Sequence, residues 1–199
     1  MKIQRLLWFI LAILVFCCGK DKNPMDSNGT PDNSYFPLAV GNEWTFKMNN
    51  STTYKYKVID KKHVNDKEYF VFDKPMPFFP NLELEQKTDE YLLRKDENGD
   101  VLIVYDNSEW LLLAFDDTLV NSVIKSYVGE LEYWIYISSN TDTIQTDLGS
   151  FYNCFRILGH FPQIKSTTYQ TWFAPGYGLV KIYEGSRNYV YELVAAKID

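Results

Sequence analysis

Residues 91–105 read YLLRKDENGDVLIVY, and this stretch decides the fold class. Two apolar segments, Tyr91–Lys95 and Val101–Tyr105, lie on either side of the dipeptide Asn98-Gly99. Asn-Gly between two apolar runs is typical of a tight β-hairpin, because both residues tolerate the positive φ angles that such a turn requires. The stretch therefore predicts two antiparallel strands joined by a short turn.

The same period of two continues upstream of this hairpin. Apolar and polar residues alternate along Trp44–Met48 and again along Tyr54–Val58. Such alternation indicates strands with one buried and one solvated face, as in antiparallel sheets. Asn49–Ser51 has the composition of a turn between them, and Tyr69–Phe72 is predicted to be a third short strand.

Downstream, the segment from Leu131 to Ile137 places Leu131, Tyr133, Ile135 and Ile137 on one face of a strand. Further strands are predicted by similar runs bounded by turn residues. They are Glu109–Phe115, Thr141–Asp147, Phe151–Gly159, Tyr169–Ala174, Leu179–Glu184 and Asn188–Val194.

The pattern as a whole predicts an all-β domain of about ten or eleven strands over residues 35–199. A sheet that large must curl or close to bury one face and protect its edges. We therefore expect a single curved antiparallel meander sheet or a half-open barrel, with room for one short helix. Apolar residues at helical spacing between Leu119 and Val128, with Asp117 as a cap, favour that helix. The Val and Ile residues there would also suit a strand.

The first 17 residues predict a signal peptide. Lys2 and Arg5 are followed by thirteen uncharged residues, Leu6–Cys18, whereas a membrane-spanning helix needs about twenty apolar residues. A basic start and a short apolar run are typical of a secretory signal. The run ends in Leu14–Gly19, which resembles the box at which bacterial lipoproteins are acylated and cleaved. That resemblance implies lipid on Cys18; the alternative is an ordinary signal peptide with incidental cysteines.

Residues 18–34 are expected to form a tether between this cysteine and the domain. Gly19–Ser34 is polar and is interrupted by Pro24, Asn28-Gly29 and Pro31. As a coil it would span roughly 20 Å on average. Lys20, and no acidic residue, follows Gly19. Known lipoprotein sorting then implies the outer membrane, on either its periplasmic or its surface face.

Charge and cysteine content exclude two classes of protein. Loss of residues 1–17 removes two basic residues and changes the formal net charge from −6 to −8. An acidic surface disfavours nucleic acid, because phosphate contacts need clustered Lys and Arg. Lys55, Lys57, Lys61 and Lys62 are more simply the solvated side of a strand. After lipidation only Cys154 remains as a thiol, so no disulfide framework is possible within the mature chain.

Motifs that carry catalysis or metal binding are missing from the sequence. There are two histidines, His63 and His160, and no CxxC, HExxH or GxSxG pattern. Asp96–Asp100 departs from the spacing of a calcium loop, and a hairpin turn explains it better. We predict no cofactor and no enzyme. The remaining catalytic alternative is a hydrolase that uses paired carboxylates, for which Glu83, Glu85 and Asp116 are the candidates.

Three stretches together resemble a broad group of uncharacterised bacterial lipoproteins, which share an FPL…GNxW motif near the start of the domain and a late APGxGLVK hairpin. They are Phe36–Thr45, Gly149–Ile157 and Trp172–Lys181. The resemblance implies an all-β envelope domain and supplies no catalytic residues. Tyr177 stands where a small aliphatic residue is usual. The glycines of the hairpin permit positive φ in a turn, and Cys154 is expected to pack as a small hydrophobic residue.

The richest functional signal is the aromatic content of 17%. Trp134 and Tyr136 fall on the face opposite Tyr133, where they are predicted to be only partly covered. Met76, Phe78 and Phe79 lie in a proline-rich loop and are predicted to form a lip over a cavity or a partner contact. These features favour a non-catalytic protein that binds a lipophilic ligand or an envelope protein. A glycan-binding accessory protein is the alternative.

Overall fold

A computed structural model describes residues 34–49, 51–76, 90–105, 107–163 and 168–199. Cys18, Phe78, Phe79, Glu83 and Glu85 lie outside the described residues. No helix in the described ranges is long and apolar enough to cross a membrane.

One sheet of twelve strands contains nearly all of the regular structure in these ranges. A single 3₁₀ turn, Asp117–Leu119, accompanies it. The strands are β1 Glu43–Met48, β2 Thr52–Val64, β3 Lys67–Phe72, β4 Tyr91–Lys95, β5 Val101–Tyr105, β6 Ser108–Leu113, β7 Ser122–Val128, β8 Leu131–Thr146, β9 Gly149–His160, β10 Thr168–Ala174, β11 Gly178–Glu184 and β12 Tyr189–Lys197.

The sheet is an antiparallel meander that nearly closes into a barrel, as predicted. Sequential strands are neighbours except for β6 and β7, and β1 also pairs with β12, so the two ends of the domain meet inside the sheet. The two edges are therefore β6 and β7, in the middle of the chain. They are consecutive strands, and the Ser126 hydroxyl on β7 donates a hydrogen bond to the Leu111 carbonyl on β6 at 2.9 Å. This contact brings the two edges of the sheet together without a strand ladder between them.

The Asn98-Gly99 hairpin forms where the sequence predicted it. Leu93 pairs with Ile103 across β4 and β5. Gly99 has φ of +86°, and the Asp96 carboxylate accepts hydrogen bonds from the backbone N–H groups of Asn98 and Asp100. The predicted β1–β2 hairpin is also present, with direct register between the two strands.

The predicted helix between Leu119 and Val128 was wrong in its extent. Asp116, not Asp117, caps the 3₁₀ turn, accepting hydrogen bonds from the backbone N–H and hydroxyl of Thr118. The chain then becomes strand β7, in which Ile124 pairs with Ile135 of β8. Cross-strand pairing of β-branched side chains outweighed the helical spacing. The two segments predicted at 131–137 and 141–147 form one long strand, β8, with several register shifts.

Large aromatic side chains fill the interior of the barrel. Phe36 precedes β1 and is 1% exposed; its ring lies 6.4 Å from that of Trp44 and 6.1 Å from that of Phe173. Other large side chains with almost no exposure include Phe46, Phe155, Met76, Leu93, Leu113 and Ile135. The segment before β1 therefore acts as a plug for the barrel.

The three motifs of the lipoprotein resemblance meet at one end of this barrel. The Trp44 indole N–H donates to the carbonyl of Tyr177, in the β10–β11 turn, at 2.7 Å. The ring of Tyr177 lies edge-to-face against that of Phe151, at 5.0 Å. The buried Asn42 amide donates to the Pro37 carbonyl, and its oxygen accepts from the backbone of Asp199. The motifs have structural roles here, as the sequence predicted for the glycines and for the buried Cys154.

We call this end the tether end, because the first described residue lies there. The Ser34 carbonyl accepts a hydrogen bond from Gly176, and the Ser34 hydroxyl accepts one from Lys95 at the end of β4. The β4–β5 turn and the β6–β7 connection are at the same end, since β5 and β6 pair there through Val101 and Leu113. The turns β1–β2, β7–β8 and β11–β12 form the far end.

Candidate contact surface

The outer face of β7, β8 and β9 carries a group of apolar and aromatic side chains, which we call the aromatic face; Lys125 and Glu132 lie among them. Its members are Val123, Tyr127, Trp134, Tyr136 and Leu158. Val123 pairs with Tyr136, which in turn pairs with Leu158, so these three residues form a row across three strands. Val123 is 52% exposed and Tyr127 is 50% exposed, which places both among the most exposed large hydrophobic residues in the described ranges.

The alternation of β8 places the two residues that the sequence singled out on this face. Tyr133, Ile135 and Ile137 point into the core, with exposed fractions of 4% or less. Trp134 and Tyr136, between them, point outward and are half-buried. Two-residue periodicity alone therefore predicted the outward direction of these two side chains.

Charged neighbours hold Trp134 in place. Its indole N–H donates to the Glu132 carboxylate at 2.8 Å. The Lys125 ammonium lies 5.2 Å from the centroid of the indole ring and 3.5 Å from the same carboxylate. The His160 ring meets the indole edge-to-face at 6.0 Å. The ring is thus fixed before any partner arrives, so less side-chain entropy is lost on contact.

Polar atoms border the aromatic face as well. The Tyr136 hydroxyl donates to the Asn121 side-chain oxygen at 3.3 Å. His160 Nδ1 is buried and has no hydrogen-bond partner in the described structure. An apolar centre with a polar rim is the usual composition of a protein interface.

Val123 and Tyr127 were missed by the sequence analysis. Along β7, Val123 and Tyr127 point outward, whereas Ile124 and Ser126 point inward. This two-residue alternation is typical of a strand. Because helical spacing over the same residues favoured a helix, the sequence analysis did not predict that β7 contributes to this surface.

Met76, which was predicted to be displayed in the loop, does not lie on the surface. It is 2% exposed and belongs to the main hydrophobic core. Its loop partners Phe78 and Phe79 are outside the described residues, so the predicted lip at 74–80 stays a prediction.

A cleft of about 550 Å³ opens at the tether end, and carboxylates dominate its lining. It is lined by Asn98, Asp100, Phe115, Asp116, Asp117, Thr118 and Leu119. Each of the three aspartates already has a structural partner: Asp100 accepts from the Phe115 backbone, Asp116 caps the 3₁₀ turn, and Asp117 accepts from the Asn140 amide. The cleft is thus built by turn and capping interactions.

The pKa shifts in the cleft follow from these contacts. Partial burial raises the pKa of Asp100, while the hydrogen bonds from Thr118 lower the pKa of the exposed Asp116. A general acid near neutral pH needs a carboxyl pKa raised towards that pH. The lowered pKa of Asp116 is the opposite of this requirement. Within the described ranges, no three His, Cys, Asp or Glu side chains are grouped so that they could hold a metal ion.

Cys154 is not available as a nucleophile. It is fully buried, burial raises its pKa to about 12, and its thiol lies 3.6 Å from the Phe151 carbonyl. Since the thiolate is the reactive form, this cysteine is inert at neutral pH. His160 stands six residues further along β9 and faces Trp134 instead.

Two solved structures are similar to this chain. One is a "putative lipoprotein" from Parabacteroides distasonis, with 16% identity, a TM-score of 0.41, and coverage of 83% of this chain and 99% of that one. The other is a "putative exported protein" with a YmcC-like fold from Bacteroides fragilis, with 14% identity, a TM-score of 0.47 and the same coverage. At these values the two likenesses carry no information about activity or partners. No protein-family model and no curated protein matches the sequence.

Proposed function

We propose that this chain is a lipid-anchored, non-catalytic protein of the bacterial cell envelope, and that it binds another envelope protein through the aromatic face. The proposal of an anchor rests on residues 1–18, where a short apolar segment ends at Cys18. Two or three acyl chains on one cysteine are sufficient for stable membrane attachment, because each buried methylene contributes about 0.8 kcal/mol. Sorting resemblance favours the outer membrane.

The observation that carries the binding role is the exposure of Val123 and Tyr127 beside Trp134 and Tyr136. Exposed hydrophobic residues scattered singly are ordinary, whereas a contiguous group marks an interaction site. Tyr and Trp are also the residues that dominate binding energy at protein interfaces. The Lys125–Glu132 pair, which lies among these residues, would favour one orientation of the bound partner.

A protein partner is favoured over a lipophilic ligand inside the barrel. Phe36, Trp44, Phe46, Phe155 and Phe173 occupy the interior and are each at most 1% exposed. A lipocalin-like interior site would need that volume to be open. The apolar surface that is accessible in the described ranges lies outside the barrel.

A glycan is the second candidate, and Trp134 is the observation that favours it. A fixed indole beside the Glu132 carboxylate and the Tyr136 hydroxyl offers both a stacking platform and hydrogen-bonding groups. The Lys125 ammonium already lies over that ring, so a sugar would have to displace it. For this reason we rank the glycan second.

Photo-crosslinking in intact cells tests the binding role. A photoreactive phenylalanine analogue replaces Tyr127, and in a matched control it replaces Tyr152, which is 47% exposed on another part of the surface. We expect a discrete protein adduct from position 127 that is lost in a Trp134→Ala background. Adducts of equal intensity from both positions, or an adduct unaffected by Trp134→Ala, would refute the partner role. A glycan-array signal that requires Trp134 would establish the second candidate instead.

The anchor is tested separately by Cys18→Ser. We expect the variant to keep its signal peptide or to be released from the membrane fraction, since the thiol at the predicted attachment position is gone. Unchanged processing and membrane fractionation of Cys18→Ser would exclude lipidation at this position.

A further inference from the structure

One polar group beside the aromatic face has no structural partner. His160 is the last residue of β9, and its side chain lies beside that of Trp134, its direct partner on β8. The two rings meet edge-to-face, with their centroids 6.0 Å apart. His160 Nδ1 is buried and has no hydrogen-bond partner in the described structure. A buried polar atom without a partner costs free energy, so stability alone does not account for a histidine at this position.

Core contacts on both sides fix the backbone at His160. A Cβ atom on the preceding residue, Gly159, would lie only 2.5 Å from the Tyr133 hydroxyl oxygen. The following residue, Phe161, is 3% exposed, and its ring lies 4.6 Å from that of Tyr133. Both neighbours point into the barrel, so the His160 side chain points outward. The imidazole can turn about its own side-chain bonds, while the strand beneath it is held in place.

Trp134 has two other supports, and both are charged groups. The Glu132 carboxylate accepts its indole N–H, and the Lys125 ammonium lies 5.2 Å from the ring centroid. The Lys125 side chain is 63% exposed, so this support is open to solvent and weak. The residue opposite His160 on β10 is Thr168, which is uncharged. The imidazole is therefore the support of Trp134 that comes from β9, and it is a ring that can gain a charge.

We infer that His160 is the positioning residue of the aromatic face: its neutral ring holds Trp134 in the orientation that the partner contacts, and its protonation releases Trp134. The partner is that of the proposed function, on which this assignment rests. Histidine is the side chain whose charge ordinarily changes between about pH 5 and 8. Partner binding should therefore weaken as the pH falls through this range.

The surroundings of the imidazole explain the release. A proton on Nδ1 creates a buried cation that has no acceptor and that lies on the same face as the Lys125 ammonium. Both conditions disfavour the charged form in this orientation. The indole already has the Lys125 ammonium over its ring, so a second cation gains little from the same ring. The imidazolium lowers the cost by turning Nδ1 to water, and the edge-to-face contact with Trp134 is then lost.

Fluorine NMR of the purified full-length protein tests the positioning role without a partner. Tryptophan is replaced throughout by 5-fluorotryptophan, and the signal that disappears in Trp134→Phe identifies Trp134. We expect this signal to move between about pH 8 and about pH 5.5, a range in which carboxyl and ammonium groups ordinarily keep their charge. It should stay fixed in His160→Phe and in His160→Gln, since neither side chain titrates. His63→Phe removes the exposed histidine of β2 and is the matched control, which should keep the natural profile. A Trp134 signal that does not move in the natural chain, or that moves equally in His160→Phe, would overturn the inference.

The photo-crosslink from position 127 tests the consequence for binding. In the natural chain we expect the adduct to fall by about two- to tenfold between about pH 8 and about pH 5.5, as expected for the loss of one aromatic pair. His160→Phe keeps a ring and should retain the adduct at both pH values, whereas His160→Gln should give the lower yield at both. An adduct that is independent of pH in the natural chain would overturn the inference and leave the proposed function intact. The absence of any adduct at the higher pH would refute the proposed function, and the inference with it.

Discussion

The indole N–H of Trp44 donates a hydrogen bond of 2.7 Å to the carbonyl of Tyr177 across the tether end of the barrel. The two residues are 133 positions apart in the chain. Trp44 is the second residue of β1 and is 1% exposed, while Tyr177 lies in the β10–β11 turn and is 7% exposed. This bond connects the first and last parts of the domain inside the core.

Trp44→Phe should destabilise the domain by about 2–4 kcal/mol, because it leaves the Tyr177 carbonyl buried without its donor and also removes buried volume. Urea unfolding followed by circular dichroism measures the loss. Thr45→Ser, on the outer face of the same strand, is the control and should change stability by less than about 0.5 kcal/mol. Equal stability of Trp44→Phe and the natural chain would contradict the importance of this bond.

Tyr177→Phe, in contrast to Trp44→Phe, should not destabilise the domain. The Tyr177 hydroxyl is buried and has no hydrogen-bond partner in the described structure. Removing an unsatisfied buried hydroxyl is neutral or stabilising, here by up to about 1 kcal/mol. The edge-to-face contact with Phe151 is kept, since the ring remains. A marked loss of stability in the same urea experiment would mean that the hydroxyl has a partner, such as a bound water.

Ser126→Ala should weaken the contact between the edge strands β6 and β7, which we call the seam of the barrel. The hydroxyl bridges β7 to the Leu111 carbonyl of β6, and its loss should lower stability by about 0.5–1.5 kcal/mol. Hydrogen exchange should accelerate mainly in residues 108–113 and 122–128. Ser51→Ala removes a similar but exposed bond to Met48 and is the control. Acceleration spread evenly over all strands would argue that the seam has no local role.

The contribution of Glu109 to the free energy of unfolding should depend on pH. Its carboxylate accepts hydrogen bonds from Arg94, Lys67 and Tyr69 on the outer face, and these donors, the Arg94 guanidinium above all, lower its pKa to about 2. A folded-state pKa below the unfolded value stabilises the fold above the unfolded pKa of about 4.3. That contribution is lost as the pH falls from there towards 2.

Glu109→Gln should therefore be less stable than the natural chain at pH 7, by about 1–2 kcal/mol once solvent screening is allowed for. The difference should shrink as the pH falls from about 4.3 towards 2. Glu68→Gln, which alters an exposed pair with Lys61, is the control and should show little pH-dependent difference. Urea unfolding at several pH values measures both variants. A constant difference for Glu109→Gln across the range would show that packing, not charge, is responsible.

Gly159→Ala should strain the core. A Cβ atom at this position would lie 2.5 Å from the hydroxyl oxygen of Tyr133, which is itself 4% exposed. We expect a loss of about 1–3 kcal/mol, as is usual for overpacking. Gly185→Ala, where the nearest atom is 3.6 Å away, should be tolerated. Adding Tyr133→Phe should recover part of the loss; no recovery would show that the hydroxyl is not the obstacle.

Local patterns in the sequence were sufficient for much of the fold. The Asn98-Gly99 hairpin, the alternation in β1 and β8, and the outward direction of Trp134 and Tyr136 all depend on residues within a few positions of one another. A period of two determines which side chains share a face, whatever the rest of the chain does. The same local information predicts the signal peptide and the lipidation of Cys18.

Local pattern failed where two periodicities competed. Residues 119–128 satisfy helical spacing, yet pairing with β8 makes 122–128 a strand. That outcome depends on a neighbour that only the assembled sheet supplies. The exposure of Val123 and Tyr127, and with it the extent of the aromatic face, could not be predicted without it.

The sequence by itself determined the class of structure, the predicted anchor and the absence of recognisable catalytic motifs, because each of these is encoded in short-range order and composition. Only the tertiary structure decided that β1 pairs with β12, that β6 and β7 face each other as the two edges of the sheet, and that Trp44 bonds to the turn that contains Tyr177. Those relationships join residues far apart in the chain, and their energies arise from burial and hydrogen bonding that exist only after the sheet has closed.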